Sequence, residues 1–278
     1  MTLSADRLAA LDAFVIDLNK ASAAAILPLF RADHGLEDKG AGKNLPRDTH
    51  GAFDPVTEAD RGAEAAIRKL IAERYPEHGV IGEEYGEDRP DAEFVWVLDP
   101  IDGTRAFISG LPLWTTLIGL RHNGRPVLGS IGQPFTDELF IGHAGGARLI
   151  ARGQSAPIQV RECASLNDAV IATTDPDACF DGAERGAWLQ VRAAAKLARL
   201  GCDAYAYAMV AMGKMDMVIE AGLKSWDIEA AIPVVEAAGG MVTNWRGETI
   251  GPNGGQMVIS GDRRPLDEAL VSLRRSAK

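Results

Sequence analysis

The sequence predicts a mixed α/β fold, and three observations predict it. Apolar residues recur at helical spacing in some stretches, as Leu8, Leu11, Val15 and Leu18 do near the start. Elsewhere they form short continuous runs closed by turn residues, the clearest being Trp96-Val97-Leu98 ahead of Asp99-Pro100. The two patterns alternate along all 278 residues without internal repeats or low-complexity tracts, and the alternation restarts past a soft boundary near residue 150. That length exceeds one average domain, so one large or two closely packed domains are expected.

Ser4 is placed to cap a first helix running to about Arg31, whose apolar stripe faces the core. Residues 33–55 hold Gly35, Gly40, Gly42, Pro46, Gly51 and Pro55 among many charges and read as one long loop, a kind that is often functional. A second helix covers 57–75 and stops at Pro76, after which Val80-Ile81 is a short strand leading to Glu83-Glu84. Residues 94–98 read as a strand buried on both faces, which Pro100, having no N–H for a ladder, is expected to end. Gly103 then allows close backbone approach, and Thr104 is the expected N-cap of a short helical segment, 105–108. From Trp114 to His143, β-rich segments are separated by turns at Asn123-Gly124 and at 134–137. In the second half, 169–173 and 215–220 read as strands, and 183–195 and 204–212 as helices. Trp226-Asp227 opens a helix that ends at Gly239-Gly240, which sets Asp227 where a helix dipole favours a carboxylate. Strands near 241–243 and 257–260 and a helix after Pro265 complete the chain.

Composition narrows the function. Hydrophobic residues make up 46% of the chain, ample for a core, and no stretch of about 18 uncharged apolar residues could span a membrane. The formal charge of −10, with no basic stripe, argues against nucleic acid as a partner. Cys163, Cys179 and Cys202 have no metal-ligand spacing, and three scattered cysteines fit buried, reduced intracellular thiols. The opening Met1-Thr2-Leu3-Ser4-Ala5-Asp6-Arg7 lacks the basic and apolar segments of a signal peptide, so a cytoplasmic location is expected.

The chemistry concentrates in Asp99-Pro100-Ile101-Asp102-Gly103-Thr104, where a buried strand delivers two carboxylates, a glycine and a hydroxyl. The N–H groups of the following helix start can hold a phosphate. Two carboxylates would repel that phosphate, so the combination makes sense when divalent cations lie between them. An Asx-rich turn is the plain alternative. Further acids stand at comparable places: Glu83 and Glu84 after a strand, Asp54 and Asp60 around a helix start, and Asp227 at another. No spacing in the sequence proves that they converge.

Taken together, Asp54-Pro55-Val56-Thr57-Glu58-Ala59-Asp60, Gly82-Glu83-Glu84, Asp99-Pro100-Ile101-Asp102-Gly103-Thr104, and Trp226-Asp227 with Glu236-Ala237-Ala238-Gly239-Gly240 resemble the inositol monophosphatase family in order, spacing and residue type. The resemblance covers nearly the whole chain. It implies a layered α-β-α-β-α sandwich in which an N-terminal α+β part, 1–150, carries most metal ligands. A C-terminal α/β part, 151–278, would carry the substrate pocket and Asp227. It also implies a Mg²⁺-dependent phosphoric monoester hydrolase acting on a small phosphomonoester as a homodimer; that neither nucleic acid nor membrane is a partner is the expectation from charge and hydropathy.

Carried over by position, Glu83, Asp99 and the Ile101 carbonyl resemble the ligands of one Mg²⁺, and Asp99, Asp102 and Asp227 those of a second, with Glu83 also near a weaker third ion. Oxygen ligands of this kind suit Mg²⁺, and a bridging carboxylate holds two ions about 3.5–4 Å apart for in-line displacement. Thr104 with Asp54 is expected to orient and deprotonate the attacking water, and the N–H groups of Gly103 and Thr104 to hold phosphate oxygens, without a phosphoenzyme. Asp60 is read as a support for Thr57 and the helix start. The chain departs from the family pattern in a longer loop ahead of Asp54, so that Lys39 and Lys43 are both candidates for the family's phosphate-steering lysine, Lys39 being preferred of the two and a plain solvated role being the structural alternative that outweighs it.

The segments 102–112, Leu166-Asn167-Asp168-Ala169 and 201–207 look most like the histidinol-phosphate phosphatase branch, whereas inositol-specific members usually carry Asn-Phe at Ala106-Phe107. Asp203 and Glu220 align with positions lining the substrate pocket, and two acids suit the ammonium and imidazole of histidinol phosphate. Asp203 as a helix N-cap and Glu220 as a partner of a backbone N–H are the structural alternatives. Inositol-1-phosphatase or a broad sugar phosphatase is the second functional reading. A regulatory binding protein on the same fold is a third, disfavoured by the complete set of acids.

Overall fold

The computed structural model describes residues 3–32, 35, 37–38, 55–251 and 253–278. Ser4 caps α1 (Ala5–Ile26), its hydroxyl accepting the Arg7 N–H at 3.3 Å, and the chain leaves the helix in turns before Arg31. Two short strands, β1 (Glu37–Asp38) and β2 (Pro55–Val56), pair antiparallel ahead of α2 (Glu58–Arg74). Thr57 caps α2 in a capping box with Asp60, which satisfies backbone donors that a helix start leaves open.

The chain next forms β3 (Gly79–Gly82), β4 (Gly86–Asp88), β5 (Phe94–Asp102), the five-residue α3 (Thr104–Ile108), β6 (Thr115–His122), β7 (Arg125–Gln133), β8 (Glu138–His143), β9 (Gly146–Ala151) and β10 (Gln154–Pro157). Their eight strands make one sheet in the order β10-β9-β8-β7-β6-β5-β3-β4, antiparallel except where β3 runs parallel to β5. The remainder is β11 (Val170–Thr173), α4 (Gly182–Ala194), β12 (Leu197–Leu200), α5 (Tyr205–Ala211), β13 (Met217–Leu223), α6 (Ser225–Ile228), α7 (Ala231–Ala237), β14 (Met241–Thr243), β15 (Gly255–Ser260) and α8 (Arg263–Leu273). Its five strands form a second sheet, β12-β11-β13-β15-β14.

The cores define five layers. On one face of the large sheet, Leu11, Phe14, Val15 and Leu18 of α1 and Ile67 and Ile71 of α2 pack with Trp96, Leu98 and Ile118. Between the sheets, α5 and α7 pack against Leu117, Ile131 and Phe140 on one side and Val218 and Ile259 on the other. On the outer face of the small sheet, Trp188 and Val191 of α4 and Leu266 and Leu270 of α8 cover Ile171, Met217 and Val258. The α-β-α-β-α sandwich expected from the motifs is therefore the fold.

The middle layer meets the large sheet backbone to backbone along one line. Gly119, Gly129 and Gly142 are register partners across β6, β7 and β8. A Cβ added to them would lie 3.0 Å from the Glu229 carbonyl carbon, 2.0 Å from the Ala230 oxygen and 2.3 Å from the Pro233 oxygen, respectively. This bare stripe lets the α6–α7 segment rest directly on the sheet.

Several sequence expectations are corrected. The strand at 94–98 does not end before Pro100 but runs to Asp102, because the pairing shifts between Asp99↔Leu117 and Asp102↔Thr115. A bulge needs no N–H from proline there, and the Pro100 carbonyl accepts the Thr116 hydroxyl at 2.8 Å. Thr104 is the first helical residue of α3 and not its cap; Gly103, at φ +80°, holds the cap position with no side-chain bond. The helix expected from Asp227 to Gly239 is two, since Pro233 has no N–H for the Glu229 carbonyl four residues back. Strands β1, β2, β4, β9, β10 and β12 add to the elements that the sequence predicts, β1 lying inside the stretch read as one long loop.

Candidate metal centre

Each acid arrives by its own route. The bulge at the end of β5 turns Asp99 and Asp102 toward one place. Asp99 is 2% exposed, and its Oδ1 is buried without a hydrogen-bond partner among the described residues. Asp102 accepts the Ala204 N–H on Oδ2 at 2.7 Å, which ties β5 to the start of α5. Asp227, on α6, is braced by the Lys224 N–H at 2.7 Å. One carboxylate oxygen from each of Asp99, Asp102 and Asp227 lies within 4.8 Å of the others.

Electrostatics reports the same crowding. Burial raises Asp99 well above the usual carboxylate range, and the charges of Glu83, Asp102, Asp227 and Asp60 add to it. Burial also raises Asp102, followed by Asp203 and Asp227. Asp227 is pushed up to about 6 by burial, although the Lys224 backbone and charge pull it down. Three carboxylates forced together in this way ask for a cation.

The surrounding residues fall into two groups. Near the cluster, Glu83 follows β3 and donates its N–H to the Leu98 carbonyl at 3.2 Å, so it flanks Asp99. The Thr104 hydroxyl donates to the Ile101 carbonyl at 3.1 Å. Asp203 has a left-handed backbone, φ +44°, and lies over Gly103, where a Cβ would meet its Cγ at 2.9 Å. Burial pushes Asp203 up to about 6; Arg105 opposes that shift and Asp175 adds to it. Asp203 is not a helix cap, because Ala204 occupies that position without a side-chain bond.

Glu220, on β13, is engaged by protein. Its carboxylate accepts from the Thr174 N–H at 2.8 Å and from the hydroxyls of Thr174 and Thr173 at 3.0 and 3.2 Å. Burial nevertheless pushes it up to about 8. Asp60 supports Thr57 as read, accepting its N–H at 2.8 Å and its hydroxyl at 2.5 Å. Asp54, Lys39 and Lys43 lie outside the described residues. A cavity of about 280 Å³ lined by Ile16, Asn19, Lys20, Leu139 and Ile150 stands apart from these acids.

Sequence reasoning passed over Glu64, a buried acid of α2 that bonds the Glu83–Glu84 turn. A signal existed. Asp60, Glu64, Ile67 and Ile71 share one helical stripe, so two acids occupy positions where apolar residues belong.

The family model described as "Inositol monophosphatase family" matches residues 7–278. The chain belongs to the inositol monophosphatase family. Members of this inositol monophosphatase family are metal-dependent phosphatases, and the chain is accordingly a phosphoric monoester hydrolase. Among relatives it is 44% identical over 198 residues to the Bifunctional phosphatase IMPL2, chloroplastic, of Arabidopsis thaliana, covering 70% of this chain and 56% of that protein. It is 35% identical to a histidinol-phosphatase of Chlorobaculum parvum, covering 75% of this chain and 76% of the relative. An inositol monophosphatase from Zymomonas mobilis superposes with a TM-score of 0.79 at 36% identity, covering 93% of this chain and 95% of that one. No helix among the described residues is long and apolar enough to cross a membrane.

The residues present fit the hard cation that the family implies. They supply oxygen donors alone, and the orphaned Asp99 Oδ1 is the buried acceptor such an ion would satisfy.

Proposed function

We propose that this chain is a Mg²⁺-dependent phosphomonoesterase that hydrolyses L-histidinol phosphate to L-histidinol and phosphate. The convergence of Asp99, Asp102 and Asp227 around an unpartnered Asp99 oxygen carries the reading. Glu83, Asp99 and the Ile101 carbonyl would hold one ion, and Asp99, Asp102 and Asp227 a second. When bound, the ions supply a water of lowered pKa and positive charge at the leaving oxygen. Thr104, whose hydroxyl already reaches the Ile101 carbonyl, would orient that water's proton together with Asp54. The N–H groups of Gly103 and Thr104 would bind phosphate oxygens, with α3 too short to do more than orient them.

For the alcohol half of the substrate, Asp203 is the acid best placed to meet a cationic group. Glu220 already has its oxygens on Thr173, at the end of β11, and on Thr174 just beyond it, so it would act by holding the pocket wall. In this reading the part up to 150 supplies most metal ligands and the part from 151 the pocket and Asp227, in a cytoplasmic homodimer. The relationship to a histidinol-phosphatase supports the substrate, while the likeness to an inositol monophosphatase favours inositol 1-phosphate as the second reading. Phosphate release with Mg²⁺ from both esters, compared as kcat/KM, decides between them. A preference of at least about 100-fold for histidinol phosphate, roughly 2.7 kcal/mol, is expected. A preference for inositol 1-phosphate would overturn the substrate, and no Mg²⁺-dependent release from either would overturn the enzyme.

A further inference from the structure

Glu64 is wholly buried on α2, yet its carboxylate faces the turn that follows β3 rather than the apolar core. Its Oε2 accepts the Glu84 N–H at 2.8 Å, and its Oε1 accepts the Tyr85 N–H at 3.2 Å and Arg68 Nε at 2.7 Å. Arg68, one helical turn on, donates its Nη2 to the Gly86 carbonyl. The pair therefore grips the turn from Glu84 to Gly86. The third wall is Gly82, where a Cβ would stand 2.1 Å from Glu64 Oε1. A glycine at the head of Gly82-Glu83-Glu84 is what admits the carboxylate.

We propose that Glu64 is the positioning residue for Glu83. Glu83 is caught between two fixed points: its own N–H on the Leu98 carbonyl at 3.2 Å, and the next N–H on Glu64. The Leu98 bond belongs to β5, one residue before Asp99, so the arrangement fixes the Glu83 backbone relative to Asp99. The bonds of Glu64 run to the backbone N–H groups of the turn and to Arg68. It works by setting where the Glu83 backbone stands, and a carboxylate is needed because three N–H donors converge on it. Gln in its place keeps the shape but turns one amide N–H toward one of those donors, and the turn must shift.

The inference rests on the reading of Glu83 as a metal ligand, and the test separates the two. Mg²⁺ binding to the metal-free protein is measured by titration calorimetry for the parent, Glu64→Gln, Glu83→Gln and the double variant. Glu64→Gln is expected to weaken binding about 10-fold, the lower end of what loss of a residue supporting a metal ligand costs. The double variant should bind no more weakly than Glu83→Gln alone, because Glu64 acts only through Glu83. Additive losses, or no loss in Glu64→Gln while Glu83→Gln weakens binding, would overturn the positioning role and leave the ligand standing. If Glu83→Gln binds as the parent does, the ligand reading fails and the inference with it. Should Glu64→Gln not fold, Arg68→Met replaces it: a smaller loss that vanishes in the Glu83→Gln background supports the proposal, and an additive loss or none overturns it.

Discussion

Asp99 shows what a single carboxylate can tell. Its unpartnered oxygen and its repulsion by Glu83, Asp102 and Asp227 make it a liability in the metal-free protein and, on the two-metal proposal, the bridge between ions in the loaded one. Asp99→Asn should therefore abolish Mg²⁺-dependent turnover, a loss of at least about 10³-fold, while the metal-free protein melts no earlier than the parent. Retained activity would sink the two-metal reading. Asp203→Ala separates the substrates: it should raise KM for histidinol phosphate several-fold and leave KM for inositol 1-phosphate nearly unchanged, and equal effects would remove Asp203 from the cation's surroundings. At this scale the sequence was legible for the acids at the C-terminal end of β5, Asp99 and Asp102, and for Asp227 near a helix start, whose carboxylates the structure brings together. It was opaque for Glu64, whose partners are backbone N–H groups some 20 residues away that no local pattern announces.

Elements were legible where local chemistry dictates them. Asn123 and Gly124, both at positive φ, make the two-residue hairpin their types demand, and Thr57 with Asp60 makes the capping box. The bulge at Pro100 was hidden, because tertiary pairing decides whether a proline ends a strand or is carried through it, whereas the break before α7 was announced by Pro233, a local signal passed over. The glycine stripe was equally hidden, since Gly119, Gly129 and Gly142 mean nothing until their strands are in register. Gly129→Ala should push α7 off the sheet, cost about 1–3 kcal/mol and weaken Mg²⁺ binding through Asp227. Gly186→Ala, in α4 with no atom within 4 Å of the new methyl, should instead stabilise by about 0.5–1 kcal/mol. Thermal melts of the two variants check the contrast; equal shifts would deny the stripe its role.

The whole molecule pays for its site in pH dependence. Asp60, Asp203 and Asp227 lie near 6 and Glu220 near 8, against ordinary values of 3.8 and 4.5, each raised first by burial. A carboxyl raised in the folded state holds its proton more tightly there than in the unfolded chain. Its contribution is complete below about pH 4 and is lost as pH rises through 6 and then 8. His78 works against this, since burial lowers it from 6.5 to about 4 and so favours the fold as pH rises between those values. Four acids outweigh one imidazole, so the metal-free melting temperature should fall from pH 4.5 to 8.5. Saturating Mg²⁺ should flatten the decline, because the ions bind the deprotonated acids. A rising metal-free profile would contradict the crowding.

The stripe of glycines has a last consequence, for the chain while it is folding. A one-residue slip of β7 against β6 reverses the faces of every side chain on the strand, and Leu128 or Ser130 would then stand beneath the backbone of Ala230. The helix could not settle, and Asp227 would never reach Asp99 and Asp102. On the proposed metal-dependent reading, a misaligned hairpin would be denied the metal, whose binding would stabilise only the chain whose strands have paired correctly.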